Sequence, residues 1–387
     1  MRRTFRLVIA LTAFMSLALA ADPSQVPRAE DDLAARVSSI LERFPGDTTA
    51  ATDALAAEIL TLGPKAVVEV CSRLLPQGTV SDAKARFAVN GIAVHAVRPG
   101  AETARALFVR AVWTALDVDP PNEVAAFLIT QVQLAGKAES IKPLARYLAN
   151  EALAGPAIAA LQTIGGAEAE TALQAALDRA PLSAKVALVD ALGRMRSRPA
   201  VKKLLPLTES GDGTLRRASL AALANIGDPA AGSALAKVRV DASYAERAQA
   251  PALYLLFARR LAESSRTSEG LDAARAVLAN YTRPEESSIA SGALDLIVSV
   301  LKDKALPDLL GAIDSPAAAL RGSALEWATT LGAGDATARW IEKAAASRPE
   351  VRAGIVEMLG RRGDRSALPF VLETLRDRDS AVRLAAI

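Results

Sequence analysis

The sequence predicts an all-α, right-handed superhelical solenoid of stacked helix pairs, and three observations predict it. The first is self-similarity at a fixed step. Ala160-Leu161-Gln162-Thr163-Ile164-Gly165 returns 31 residues later as Ala191-Leu192-Gly193-Arg194-Met195-Arg196, and after 31 more as Ala222-Leu223-Ala224-Asn225-Ile226-Gly227. Leu173, Leu204 and Leu235 follow these endpoints by eight residues each, and Leu301, Gly332 and Gly363 repeat the 31-residue step. A period of this length marks repeats in which one helix pair cannot bury its apolar face alone and must stack on its neighbours. The second observation is composition: 51 % of residues are apolar but only 4 % aromatic, so alanine and leucine set the core and favour helices with closely spaced axes. The third is apolar spacing of helical type interrupted by breakers such as Pro45-Gly46-Asp47, Gly63-Pro64 and Pro76-Gln77-Gly78, with no alternating run that reads as a strand.

Residues 1–20 read as a secretory signal peptide. Arg2, Arg3 and Arg6 form a positive n-region, residues 7–20 form a short apolar h-region, and Ala18-Leu19-Ala20 supplies a small-residue cleavage site. The apolar run falls short of the ~20 residues that span a bilayer, so no stable membrane insertion is expected. The mature chain is expected in the periplasm or outside the cell. Removing the leader takes away three arginines and no acid, leaving 43 basic against 43 acidic residues. The overall pI near 9.0 therefore reports mostly the leader, and a neutral mature chain gives no ground for a nucleic-acid partner. Cys71 is the only cysteine, so stability must come from packing rather than from an internal disulfide.

Along the mature chain, residues 21–30 read as a flexible N-terminus and 31–125 as divergent N-terminal helical repeats. Residues 126–240 are regular repeats, 241–286 an irregular repeat or insertion, and 287–387 regular repeats again. In each regular unit the first helix ends at the glycine position, where glycine permits the left-handed turn that caps a helix. Arg196 and Leu301 depart from that rule and are expected to cap less well. Asp228 and Asp364 follow their glycines as N-cap candidates for the second helix, and Ser380 is the expected N-cap of the last one. Residues 263–270 read as an exposed loop. The helix begun at Ser380 would end near position 394 by analogy with Gly363, so the natural protein is expected to continue past Ile387.

The stretch Leu215-Arg216-Arg217-Ala218-Ser219-Leu220-Ala221-Ala222-Leu223-Ala224-Asn225-Ile226-Gly227-Asp228-Pro229-Ala230 closely resembles HEAT repeats of the type named after phycobilisome lyases. So does 353–372, with Gly363-Asp364-Arg365-Ser366-Ala367-Leu368-Pro369. The resemblance implies a HEAT/armadillo-like fold and says little of function. A weaker resemblance, through residues 86–100 and 127–134, is to the front part of exported bacterial HEAT-repeat proteins. In some of those the repeats precede a domain similar to 3-keto-disaccharide hydrolases.

Candidate chemistry is sparse. His95 is the only histidine, which argues against histidine-based metal sites and against HEAT-fold hydroxylases that hold two irons through repeated His-Glu pairs. It reads as a helix-end or core histidine. Cys71 reads as a small core residue, and Trp113, Trp327 and Trp340 read as core rather than ligand-binding residues. A basic residue recurs eleven positions before the glycine position: Lys185, Arg216, Arg321, Arg352 and Arg383. Stacking aligns these into a ladder along one edge. It either pairs with acids and carbonyls of neighbouring repeats or offers a groove to an anionic partner. No catalytic residue, cofactor or metal is expected from this segment. The expected function is an exported scaffold that binds protein partners and organises an assembly, using a concave face lined by the second helices. The alternatives are the scaffold region of a larger secreted carbohydrate-acting enzyme and, more remotely, a bilin lyase-like protein.

Overall fold

In a computed structural model describing residues 29–387 except 77, 79, 80, 242, 243, 282, 284, 285 and 332–334, the repeats fold as helix pairs. The expected signal peptide over residues 1–20, residues 21–28 and Gly332 lie outside the described residues. Helix makes up 79 % of the described residues, with no strand among them, against about a third helix in an ordinary domain. No helix among the described residues is long and apolar enough to cross a membrane. The chain divides into two compact units, Met1–Val124 and Ala125–Ile387.

The first unit holds α1 (Ala29–Leu41), α2 (Thr49–Thr61), α3 (Pro64–Cys71), α4 (Ala83–Ala96) and α5 (Glu102–Leu116). Helix α2 packs on α4, and α3 on α5. Ile59, Ile92 and Phe108 are fully buried between them. Thr48 caps α2 by accepting from the Ala51 amide, and Pro64 occupies the first turn of α3, where its missing N–H costs nothing.

In the second unit the first helices of successive pairs are α6 (Asn122–Ala135), α8 (Ala154–Ile164), α10 (Leu182–Arg194), α12 (Gly213–Ile226), α14 (Tyr244–Glu263), α16 (Ser287–Leu301), α18 (Ala318–Thr330), α20 (Pro349–Arg362) and α22 (Ser380–Ala385). The second helices are α7 (Ile141–Ala145), α9 (Gly166–Ala176), α11 (Val201–Leu204), α13 (Gly232–Asp241), α15 (Thr267–Asn280), α17 (Leu306–Ala312), α19 (Ala336–Ala346) and α21 (Leu368–Thr374). From α8 onward, each first helix packs directly on the next first helix. Small residues allow the approach: a Cβ added to Gly193 on α10 would lie 2.7 Å from the Ala222 Cβ on α12.

In six of the pairs the joint between the two helices is a residue with positive φ. It is Gly165 (69°), Arg196 (53°), Gly227 (67°), Ser265 (63°), Lys302 (53°) and Gly363 (70°). Four residues before each lies an apolar side chain no more than 2 % exposed: Leu161, Leu192, Leu223, Leu261, Val298 and Leu359. On the second helices, Leu144, Leu173, Leu204, Leu235, Leu309 and Trp340 fill the facing core positions. Arg196 thus takes the left-handed turn without glycine, while after Leu301 the turn moves one residue on, to Lys302. Residues 227–302 hold two longer repeats, with turns at Ser265 and Lys302, rather than an insertion. Of the expected exposed loop at 263–270, residues 264–266 form the turn, 267–270 begin α15, and six of the eight are exposed. Gly270 is buried there, 2.7 Å separating its would-be Cβ from the Ala258 carbonyl oxygen: a helix–helix contact, not a chain reversal, demands this glycine.

Acidic caps hold the helix starts. Asp228 accepts from the Ala230 amide, Asp364 from Ser366 and Asp212 from Leu215. At the last helix the cap is Asp379, accepting from Ala381 and Val382, and not Ser380. Asp379 has the extended backbone that lets its carboxylate turn toward those amides. Asp364 also accepts a 2.5 Å bond from the hydroxyl of buried Thr337, linking α19 to the start of the next second helix.

Two predictions follow from these joints and caps. Gly227 is left-handed, and a Cβ there would sit 2.4 Å from the Arg260 Cβ, whereas Gly363 is left-handed in open space. Gly227→Val should cost about 3 kcal/mol, combining φ strain and overpacking, and Gly363→Ala about 1 kcal/mol from strain alone; urea titration checks the order. The bond from Thr337, then those from the Ser366 amide and hydroxyl, lower the Asp364 carboxyl to about 2. A lowered folded value stabilises the fold above the ordinary carboxylate range, and that contribution fades as pH falls from about 4 toward 2. Asp364→Asn should therefore flatten the acid limb of stability against pH, and an unchanged slope would contradict the assignment.

Candidate functional site

The basic ladder occupies the starts of the first helices, where each side chain meets the end of the preceding second helix. The last carbonyls of any helix lack intrahelical partners. Arg216 folds back and donates to the Ser210 carbonyl at 2.6 Å. Arg321 donates to the Ser315 and Pro316 carbonyls at 2.9 Å each and pairs with Glu350. Arg352 donates to the carbonyls of Ala344 at 3.2 Å and Ser347 at 3.0 Å, and to the Asp377 carboxylate at 2.7 Å. Arg383 donates to the carbonyls of Asp377 and Arg378, both at 2.9 Å. In each case the guanidinium reaches back five or six residues, and in Arg352 also eight, to cap the turn, and sits favourably at a helix C-terminus. Lys185 has the same register and a different role: it lies near Asp178, whose carboxyl is held below its ordinary value first by a bond from Lys203 and more weakly by the Lys185 charge. Arg352 also lines an open groove of about 590 Å³ with Pro349, Arg376, Asp377, Arg378 and Asp379. The groove mixes both signs of charge.

The other residues singled out by the sequence are dispersed. Cys71 is buried, and burial pushes its thiol up to about 12, far from a reactive thiolate at neutral pH. Trp340 is fully buried. Trp327 differs from the core reading: it is half-buried, and its indole N–H donates to Asp295 at 2.6 Å, tying α18 to α16 on the first-helix face. Trp113 is half-buried on α5. Among the described residues, no group of three or more His, Cys, Asp and Glu side chains converges as a metal site.

His95 brings together residues that sequence reasoning missed. Its Nδ1 lies 2.7 Å from Asp53 Oδ1, and since the carboxylate accepts, Nδ1 carries the proton. Arg98 pairs with the other Asp53 oxygen. Burial acts to raise the Asp53 carboxyl, but the bonds and charges of His95 and Arg98 outweigh it and hold the group below its ordinary value. Asp53 and His95 are 42 residues apart in the part of the chain without a clean period, so no sequence signal joins them. Farther along, Asn225 donates to the Gly193 carbonyl at 3.0 Å and accepts from Arg260 at 2.9 Å, and Arg260 pairs with Glu263 at 2.8 Å. This network crosses α10, α12 and α14.

The expected binding face, lined by second helices, is not the continuous one. Several second helices are short and begin with 3-10 turns, at Ala138–Ser140, Arg198–Ala200, Pro229–Ala231, Lys302–Ala305 and Arg365–Ala367. The unbroken row is that of the first helices.

Residues 337–387 match the family described as HEAT repeats, and residues 215–241 match the PBS lyase HEAT-like repeat. The chain carries HEAT repeats. No curated protein matches it. Among solved structures it is similar to human deoxyhypusine hydroxylase in complex with glycerol, at 19 % identity and TM-score 0.30, covering 64 % of this chain and 93 % of that one. It is similar to a Kap121p mutant at 11 % identity and TM-score 0.47, over 91 % of this chain and 45 % of that one. A third similar chain comes from a structure concerned with a phosphorylation switch in the interaction between cadherin and beta-catenin, at 13 % identity and TM-score 0.36, over 95 % and 97 % of the two chains. At these values the likeness says nothing of activity.

The ladder geometry gives a prediction. Arg352→Ala removes the side-chain donor to the Ser347 carbonyl and one of two donors each to the Ala344 carbonyl and the Asp377 carboxylate, and should cost about 2 kcal/mol, less than Gly227→Val. Lys185→Ala should cost under about 0.5 kcal/mol. Denaturant midpoints of the two variants check this, and equal losses would contradict it.

Proposed function

We propose that the chain is an exported HEAT-repeat scaffold that binds protein partners along its first-helix row and performs no catalysis in this segment. The observation that carries the reading is the unbroken packing of each first helix on the next from α8 to α22. A surface of that kind presents side chains at a regular pitch over many repeats and suits extended protein ligands. On it, Asp295, Glu326 and Glu357 recur at equivalent positions and are exposed, while the ladder arginines at the other edge are engaged with backbone carbonyls. The HEAT matches support a scaffold, and the leader-like residues 1–20 support export.

The test is site-directed photocrosslinking in the producing cell. A photoreactive residue at Glu326 or Glu357 should trap a protein of defined mass, whereas one at Glu342 on α19 should not. Mass spectrometry of the same purified protein should find a mature N-terminus at Ala21. Crosslinks confined to the second-helix position would overturn the assignment of the face, and retention of residues 1–20 would overturn export.

A further inference from the structure

A groove in the first unit has a different character from the first-helix row. It runs between α2 and α5 and is closed at one end by the turn after α4. Its volume is about 570 Å³, within the range of sites that take small ligands or short peptide ends. Ala57, Leu60, Ala104 and Leu107 supply apolar walls. Arg98 and His95 stand at the polar end, and none of the described lining residues is Asp or Glu.

The polar end is held in place from behind. Asp53 uses one oxygen on His95 and the other on Arg98, so the carboxylate positions both side chains without itself lining the groove. Arg98 has five N–H donors in a planar fork and is charged at every pH of interest. Its side chain remains 45 % exposed, leaving donors open toward the groove. His95 is 23 % exposed, and its Nε2 is the ring nitrogen not engaged with Asp53. A cationic fork at one end of an apolar trough complements a molecule that is anionic at one end and apolar along its body.

We propose that this groove binds the C-terminal end of a partner polypeptide, with the free carboxylate on the Arg98 guanidinium and the last apolar side chain between Leu60 and Leu107. The carboxylate matches the planar guanidinium, and a peptide end fits a protein-binding scaffold. The proposal does not depend on the first-helix row, since the two surfaces share no residue.

The probe is a fluorescein-labelled pentapeptide ending in leucine with a free carboxyl, followed by anisotropy against the whole mature protein. Its C-terminal amide is the comparison. The free acid should bind and the amide should be weaker by about tenfold or more, the scale of one charge-assisted contact. Arg98→Gln should weaken the free acid about tenfold and leave the amide unchanged. Leu107→Gln, which leaves the Asp53 cluster intact, should weaken both; circular dichroism verifies that each variant keeps its helix content. Equal binding of acid and amide, or no binding of either at millimolar protein, overturns the proposal. Decanoate that competes with the same affinity as the peptide overturns the choice of a polypeptide end in favour of a fatty acid. Loss of the photocrosslink at Glu326 with peptide binding intact would remove the first-helix reading alone.

Discussion

The left-handed residue that follows six of the first helices is the constraint on which the stack depends. It reverses the chain within one position, so the apolar residue four places before it and the one about eight places after it enter the same core layer. Leu223 and Leu235 flank Gly227 in this way, and Leu161 and Leu173 flank Gly165. Each layer is then closed by the next repeat, and no single pair is stable on its own. Where the joint also presses against a neighbour, as Gly227 does against Arg260, it fixes the distance between repeats as well as the turn.

Polar groups serve the same end. The ladder arginines are placed where second helices run out of backbone partners, and they satisfy those carbonyls from the following repeat's helix. The aspartate caps do the equivalent for exposed amides. Asp364 joins the two kinds of duty, capping its own second helix and receiving Thr337 from the preceding one. Asn225 and Arg260 link three successive first helices, through the Gly193 carbonyl of the first. The charges along this edge are committed to keeping the repeats in register, which separates them from the groove beside His95, where donors remain open.

The fold was legible in the sequence because its rule is periodic. Leucines at the register positions and glycines at three of the joints are visible at a 31-residue step. Legibility failed where another residue type does the same work. Ser265 and Lys302 adopt the left-handed turn without glycine, so two longer helix pairs read as an irregular repeat or insertion, and Gly270 was misread because its glycine serves packing. Trp340 and Trp327 look alike in one dimension, yet one is sealed in the core and the other reaches across to Asp295. The Asp53–His95–Arg98 cluster was illegible for a deeper reason. Asp53 on α2 lies 42 residues before His95 at the end of α4, with Arg98 in the turn just after, in the part of the chain without a regular step, so only folding brings the carboxylate to them.

The length of α14 has a consequence for how such a chain can change. Counted back from the left-handed residue, α12 begins 14 positions earlier and α14 begins 21 positions earlier. The extra seven residues amount to almost two full turns at 3.6 residues per turn. A helix lengthened by that amount grows along its axis while the same side of it still faces its neighbours, so Leu261 is buried as Leu223 is. Insertions and deletions of seven should therefore pass through this architecture with little disturbance. Those of five or six would swing an apolar face toward water, and the gene's tolerance of length change has the periodicity of the helix itself.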